Sequence, residues 1–302
     1  MSKKTLLLIV GFVILWNSGF VGAEYGLPYA DPFTLLFWRY LGLLLLLWFF
    51  LSLRGDFKWV SWKNAKPDLI LGILAHGVWL SCVLLAISKG VPAGIVALII
   101  ALQPLATGAL SGSVTGEHTS VKQWIGLIIG FLGVGLSVAF RIDLENSTPV
   151  ISYLLPLGSV IAITIASLYR RHIELNKKNR TLTSLLSLFY QGLGAAALLF
   201  IPAVFIENLS TAWTTEFIGT QVWLIFGVSL LAYAFMWKLI ERMSATKVAS
   251  LFYLGPPVTM VMAWLMFGDK VILWDILGLV VIILGLLISE INFKKQISSL
   301  QD

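Results

Sequence analysis

The chain predicts an all-α membrane protein: ten transmembrane helices arranged as two inverted five-helix repeats, with the N-terminus and C-terminus both cytoplasmic. Three observations carry this expectation. Of 302 residues, 58% are hydrophobic and only 12% charged, which is more apolar surface than a soluble core of this length can bury. Apolar runs of about 17 to 25 residues, long enough to cross the hydrocarbon as helices, recur along the sequence. Finally, the last quarter of the chain lies ungapped on its middle at an offset of 152 residues, so that Pro104 meets Pro256, Gly116-Glu117 meets Gly268-Asp269, Gly126 meets Gly278 and Gly133 meets Gly285. A duplicated membrane unit is the usual signature of a transporter.

In chain order the expected spans cover 5–22, 32–53, 67–88, 91–113, 122–140, 150–170, 182–206, 219–240, 246–267 and 272–290. The N-terminal run has the basic start and small-residue end of a signal peptide, but Trp16 and Asn17 interrupt it and a second apolar run follows at once, so it reads as the first span. Residues 1–140 form the first repeat, 150–290 the second, and 291–302 a cytoplasmic tail. Five spans per copy is odd, so the second copy enters the membrane upside down. With the N-terminus inside, 17 Lys and Arg residues fall in inner segments and 3 in outer loops, which sets both termini on the cytoplasmic side. The inner segment 54–66 reads as an interfacial, Trp-anchored turn.

Composition also excludes whole classes. The +6 charge punctuates apolar runs instead of coating a soluble domain, which speaks against a nucleic-acid partner. With Cys82 alone, neither a disulfide framework nor a Cys-based metal site forms within one chain. No GxxxxGK[ST] loop is present to bind ATP, and nothing calls for a cofactor. An intramembrane enzyme built on Ser81 and His76 is disfavoured: five residues apart, they share a helix face poorly, and neither a Gly-x-Ser-x-Gly elbow nor HExxH supports them.

The repeated markers resemble the drug/metabolite transporter superfamily, specifically a ten-helix transporter of the EamA type. In the first half they are Ala93, Ala97, Pro104, Gly116-Glu117, Gly126 and Gly133; in the second, Ala245, Ala249, Pro256, Gly268-Asp269, Gly278 and Gly285. The Trp-Asn-Ser-Gly opening at Trp16–Gly19 and Arg39 in the second span also resemble that family. The resemblance covers residues 5 to 290 and implies a bacterial inner-membrane protein that moves metabolites outward. The halves differ where Gln191 replaces Arg39 and Leu168–Arg171 replace the opening motif, so the two sides of the site are not equivalent.

Polar groups in lipid are costly and are functional candidates by default. Ser184, Ser187, Gln191 and Gly194 share one helix face, as do Ser229, Tyr233 and Trp237, and Gly72, His76 and Trp79. Single Ser and Thr residues in such stripes often only hydrogen-bond between helices. Arg39 is read either as a brace for the second span or as a partner for a substrate carboxylate. His76 is either a hydrogen-bonded bundle histidine or a group that contacts substrate or couples a proton. Every carboxylate falls at a span end or in a loop, which disfavours lipophilic cations as substrates. Trp16, Asn17, Trp79, Gln103, Gln191, Tyr233, Trp237 and Tyr253 complete a largely uncharged aromatic pocket suited to a neutral or zwitterionic solute, best an amino acid. Pro104, Pro256 and Pro257 are read as hinges of the gate or as simple shape-setting kinks. Gly108, Gly112 and Gly116, with Gly126, Gly130 and Gly133, form small-residue packing surfaces that also suit a dimer contact, so the protein is expected as a monomer or homodimer.

The expected function is therefore a secondary transporter working by alternating access. A membrane-embedded sensor that only binds its ligand is the alternative.

Overall fold

A computed structural model describes residues 3–91, 96, 99–139, 149–176, 182–267 and 272–290 of the chain. Ala93, Ala97, the Gly268-Asp269 pair and the tail 291–302 lie outside the described residues. Regular structure among the described residues is helical, apart from an isolated antiparallel bridge between Ala30 and Thr211. In chain order the helices are α1 (Lys3–Gly26), α2 (Pro32–Leu53), α3 (Trp62–Ser88), α4 (Gln103–Thr115), α5 (Val121–Ala139), α6 (Ile151–Leu175), α7 (Ser184–Phe205), α8 (Thr215–Arg242), α9 (Ala245–Met266) and α10 (Leu273–Glu290).

Seven of these (α1, α2, α3, α6, α7, α8 and α9) are long and apolar enough to cross a membrane. Helices α5 and α10 carry the shorter apolar stretches Val121–Leu136 and Ile276–Ser289, and α4 spans 13 residues. Helices in lipid are apolar on all sides, so their inward face is chosen by fit. In α2, Leu36, Tyr40, Leu43 and Leu47 turn inward, while Leu45, Trp48 and Phe49 are exposed.

The third, fourth and ninth spans differ from the sequence expectation. Helix α3 starts at Trp62, so the turn after α2 is shorter than the expected 54–66 segment. The expected boundary followed hydropathy, whereas a helix can begin in the interface among polar residues, and Trp62 is exposed there. The fourth and ninth spans are also interrupted. Helix α4 begins only after a turn at Ala101-Leu102, with Pro104 in its first turn. Helix α9 tightens into a 3-10 turn over Leu251–Leu254 and resumes at Gly255, with Pro256 and Pro257 in the resumed first turn. Proline lacks the N–H that would bond the carbonyl four residues back and its ring crowds that carbonyl, so each helix yields upstream of the proline and not at it.

The internal duplication reappears in the packing. A Cβ on Gly126 would lie 2.5 Å from the Gly285 carbonyl oxygen, and one on Gly133 would lie 2.9 Å from that of Gly278. The 152-residue offset carries Gly126 onto Gly278 and Gly133 onto Gly285, so each contact is the image of the other, as a two-fold axis between α5 and α10 requires. The glycine stripe of α5 is thus taken up by α10 of the same chain and is not free to form a dimer. Helices α3 and α8 each contain a wide π-helical turn, at Ile73–Val78 and Leu224–Ala232. The same offset superposes these two turns.

Candidate functional site

Four of the expected pocket residues, Trp16, Arg39, Trp79 and Tyr233, meet around a cavity of about 20 Å³ between α1, α2, α3 and α8, walled elsewhere by apolar groups such as Leu36, Val83 and Val228. That volume admits about one water. The Trp16 ring sits at the centre of an aromatic cluster, with its centroid 5.2 Å from Trp79, 4.8 Å from Tyr233 and 5.1 Å from Phe252. Arg39 is 2% exposed. Its Nε donates to Ser229 Oγ at 2.7 Å and its guanidinium lies 5.4 Å from the Tyr40 ring centroid. Among the described residues its Nη2 has no hydrogen-bond partner, and neither does the indole Nε1 of Trp79. Among the described residues no carboxylate lies within ion-pair distance of Arg39.

Behind the cavity, His76, Gln191 and Trp237 form a hydrogen-bonded network instead of lining open space. Helices α3 and α7 touch backbone to backbone here, since a Cβ on Gly72 would overlap the Gln191 carbonyl. Trp237 Nε1, which can only donate, bonds Gln191 Oε1 at 2.9 Å and so fixes the orientation of that amide. His76 Nε2, 3.1 Å from the same oxygen, must then carry the hydrogen, and Nδ1 accepts from the Tyr40 hydroxyl at 3.0 Å. The Gln191 amide nitrogen donates to Asp68 Oδ1 at 3.2 Å and to Ser187 Oγ at 3.0 Å, and Ser187 donates to Asp68 at 2.6 Å. Tyr233 packs against His76 with centroids 3.8 Å apart and the rings tilted by 40°, and donates its hydroxyl to the Ala75 carbonyl. Asp68 lies in the second turn of α3, near the span end the sequence assigns it, but it does not face water. It is 2% exposed and lies one amide away from His76.

The remaining expected residues lie elsewhere. Asn17 donates to the Val13 carbonyl and accepts from Thr259, facing α9. Gln103 is fully buried on α4 with both amide atoms unpartnered among the described residues, and the hydroxyl of Thr107, one turn on, is unpartnered there too. Tyr253 packs with Ala101, Leu127, Val134 and Ile282 in a separate cluster near Gly130. At one end of the bundle an ionic cluster ties the two halves. Arg171 Nε lies 3.0 Å from Glu117 Oε2, while Arg170 pairs with Glu174 at 2.8 Å and with Glu241 at 3.3 Å. Arg170 also lies 5.8 Å from the Trp237 ring.

The EamA-like transporter family matches this sequence twice, at residues 3–139 and 150–290, one match for each half of the two-fold arrangement. The chain belongs to that family. As an EamA-like transporter it is a multi-pass membrane protein. It is 27% identical over 299 residues to the uncharacterized transporter YvbV of Bacillus subtilis, covering 98% of this chain and 94% of that one. It is 24% identical over 310 residues to a probable amino-acid metabolite efflux pump of Escherichia coli K12, covering 97% of each. A protein crystal structure shares the fold at a TM-score of 0.77 and 15% identity, over 96% of this chain and 97% of that one.

Besides the burial of Asp68 and the π-helical turns, two features of this EamA-like transporter escaped the sequence. Tyr40 gave no signal beyond being an aromatic next to Arg39. The second is a cross-brace: Arg39 and Gln191 are equivalent under the 152-residue offset, and each reaches from its own half into the π-helical turn of the other, to Ser229 and to His76. The departure of Gln191 from Arg39 thus changes the chemistry of one brace and leaves its geometry in place.

Proposed function

We propose that the protein is a secondary exporter of a small neutral or zwitterionic metabolite, best an amino acid, working by alternating access across the bacterial inner membrane. In this reading all ten helices span the bilayer, both termini are cytoplasmic, and the two halves are inverted. The observation that carries it is the cavity at the junction of the halves, which combines clustered aromatic rings with two buried donors that have no partner among the described residues. Aromatic walls with a few placed polar groups are what a small amphipathic solute needs. The amino-acid name of the Escherichia coli relative supports the same class. The breaks upstream of Pro104 and Pro256-Pro257 act as the hinges, one in each half. In this conformation His76 spends both ring nitrogens on Tyr40 and Gln191, so it holds the cavity wall to Asp68 and becomes a proton carrier only if that network opens during the cycle.

Purified protein in liposomes, assayed by counterflow against amino acids, nucleosides, sugars and organic cations, tests this directly. Exchange of amino acids without added nucleotide is expected. Exchange confined to cations would overturn the substrate class, and binding without any exchange would establish the sensor reading instead.

A further inference from the structure

We propose that Arg39 Nη2 and Trp79 Nε1 form a carboxylate subsite, and that a carboxylate, not an amine, is the group a solute must carry to be bound. This rests on reading the cavity as the substrate site.

Both atoms can only donate, and both are buried without an acceptor. A buried cation is tolerated when an anion or several acceptors meet it. Bracing α2 against α8 accounts for Nε, which bonds Ser229, and leaves Nη2 unexplained. The walls are apolar or aromatic apart from the Tyr233 hydroxyl, and that oxygen, which donates to Ala75, makes no hydrogen bond with Nη2. The missing acceptor must therefore arrive with the occupant, and the planar guanidinium suits a carboxylate best. The converse holds for an ammonium group. The cavity lining contains no carboxylate, so an amine meets only the ring faces of Trp16, Phe20, Trp79 and Tyr233. The amine is therefore tolerated and dispensable, and the apolar wall formed by Leu35, Leu36, Val83 and Leu84 takes the solute's tail.

The test uses two matched trios on the full-length protein in detergent, with binding read by displacement of the labelled amino acid. The first trio is phenylalanine, 3-phenylpropionate (no amine) and phenethylamine (no carboxylate). The second is leucine, 4-methylpentanoate and isopentylamine. In each trio the amino acid and its des-amino acid are expected to bind within a few-fold of each other, and the amine not to bind. Trp79→Phe keeps the ring and deletes the donor, and should weaken both acids about tenfold, the lower range for a hydrogen bond to a charged group. Arg39→Gln should weaken them further, while Arg39→Lys recovers part of the loss. Size-exclusion profiles identify any variant that fails to fold, and Trp79→Phe keeps the proposal testable if Arg39 variants do. Binding of the amines but not the acids would overturn the subsite and leave the transporter reading standing. Acid binding unchanged in Trp79→Phe and Arg39→Gln would place the carboxylate elsewhere, with only a water in the cavity. Failure of every member of both trios to bind would remove the amino-acid reading and the subsite with it.

Discussion

Trp237 has a single polar hydrogen, and that one donor orders five other side chains. It orients the Gln191 amide, which fixes the hydrogen of His76 on Nε2, which in turn makes Nδ1 the acceptor for Tyr40 and leaves the amide nitrogen of Gln191 for Asp68 and Ser187. Trp237→Phe removes the donor and keeps most of the ring. It should lower stability by about 1 kcal/mol, read as a lower midpoint of thermal unfolding in detergent. In a Gln191→Leu background the same change should cost measurably less, because the acceptor it served is gone; additive losses would show that the two do not share a network. His76, Gln191 and Trp237 were legible in the sequence because polar atoms stand out in apolar runs. Asp68 and Tyr40 were not: the first looked like a boundary charge, and the second carried no mark beyond its place beside Arg39.

At the scale of helices, the α5–α10 contact is the clearest case of sequence dictating packing. A Cβ on Gly285 would lie 2.6 Å from the Gly126 carbonyl oxygen, a distance real side chains do not reach, whereas one on Gly219 meets nothing within 4 Å. Gly285→Ala should therefore push the two helices apart at a cost of about 1 to 3 kcal/mol and reduce folded yield. Gly219→Ala on the exposed face of α8 should be neutral or stabilising by up to about 1 kcal/mol, because alanine has the better helix propensity. Equal effects of the two in the same thermal-unfolding assay would remove close approach as the reason for the stripe. The prolines were equally legible as sites of interruption, but not the place of the break, which depends on which carbonyl loses its donor. The two π-helical turns left no trace that sequence reading detected. Each is a register adjustment of the backbone that allows a residue from the opposite half to bond there.

For the molecule as a whole, the two halves are joined at the cross-braces, along α5 and α10, and through the ionic cluster of Arg170, Arg171, Glu117, Glu174 and Glu241. In the proposed topology this cluster closes the cytoplasmic end. Glu117→Gln should loosen it and shift the population toward an inward-open state. A Thr107→Cys reporter in a Cys82→Ser background should then react roughly two- to fivefold faster with a thiol reagent added from inside, the range of a partly exposed ion pair. An unchanged rate would show that the cluster is not a gate. The topology itself predicts that single cysteines at the two chain ends are labelled from the same side of the membrane.

Membrane class, duplication, approximate spans, and the positions of the prolines and glycines could be read from one dimension, because hydropathy, repeats and backbone-restricting residues are local or periodic properties of a chain. The partners of the polar groups could not. Whether Arg39 meets Ser229 or a carboxylate, whether Asp68 faces water or Gln191, and which aromatic rings enclose a cavity all depend on helices about 115 to 190 positions apart coming into register. That register is set by how the surfaces interlock across the two-fold axis. In apolar helices with little amphipathic contrast, only three-dimensional packing chooses the face that turns inward.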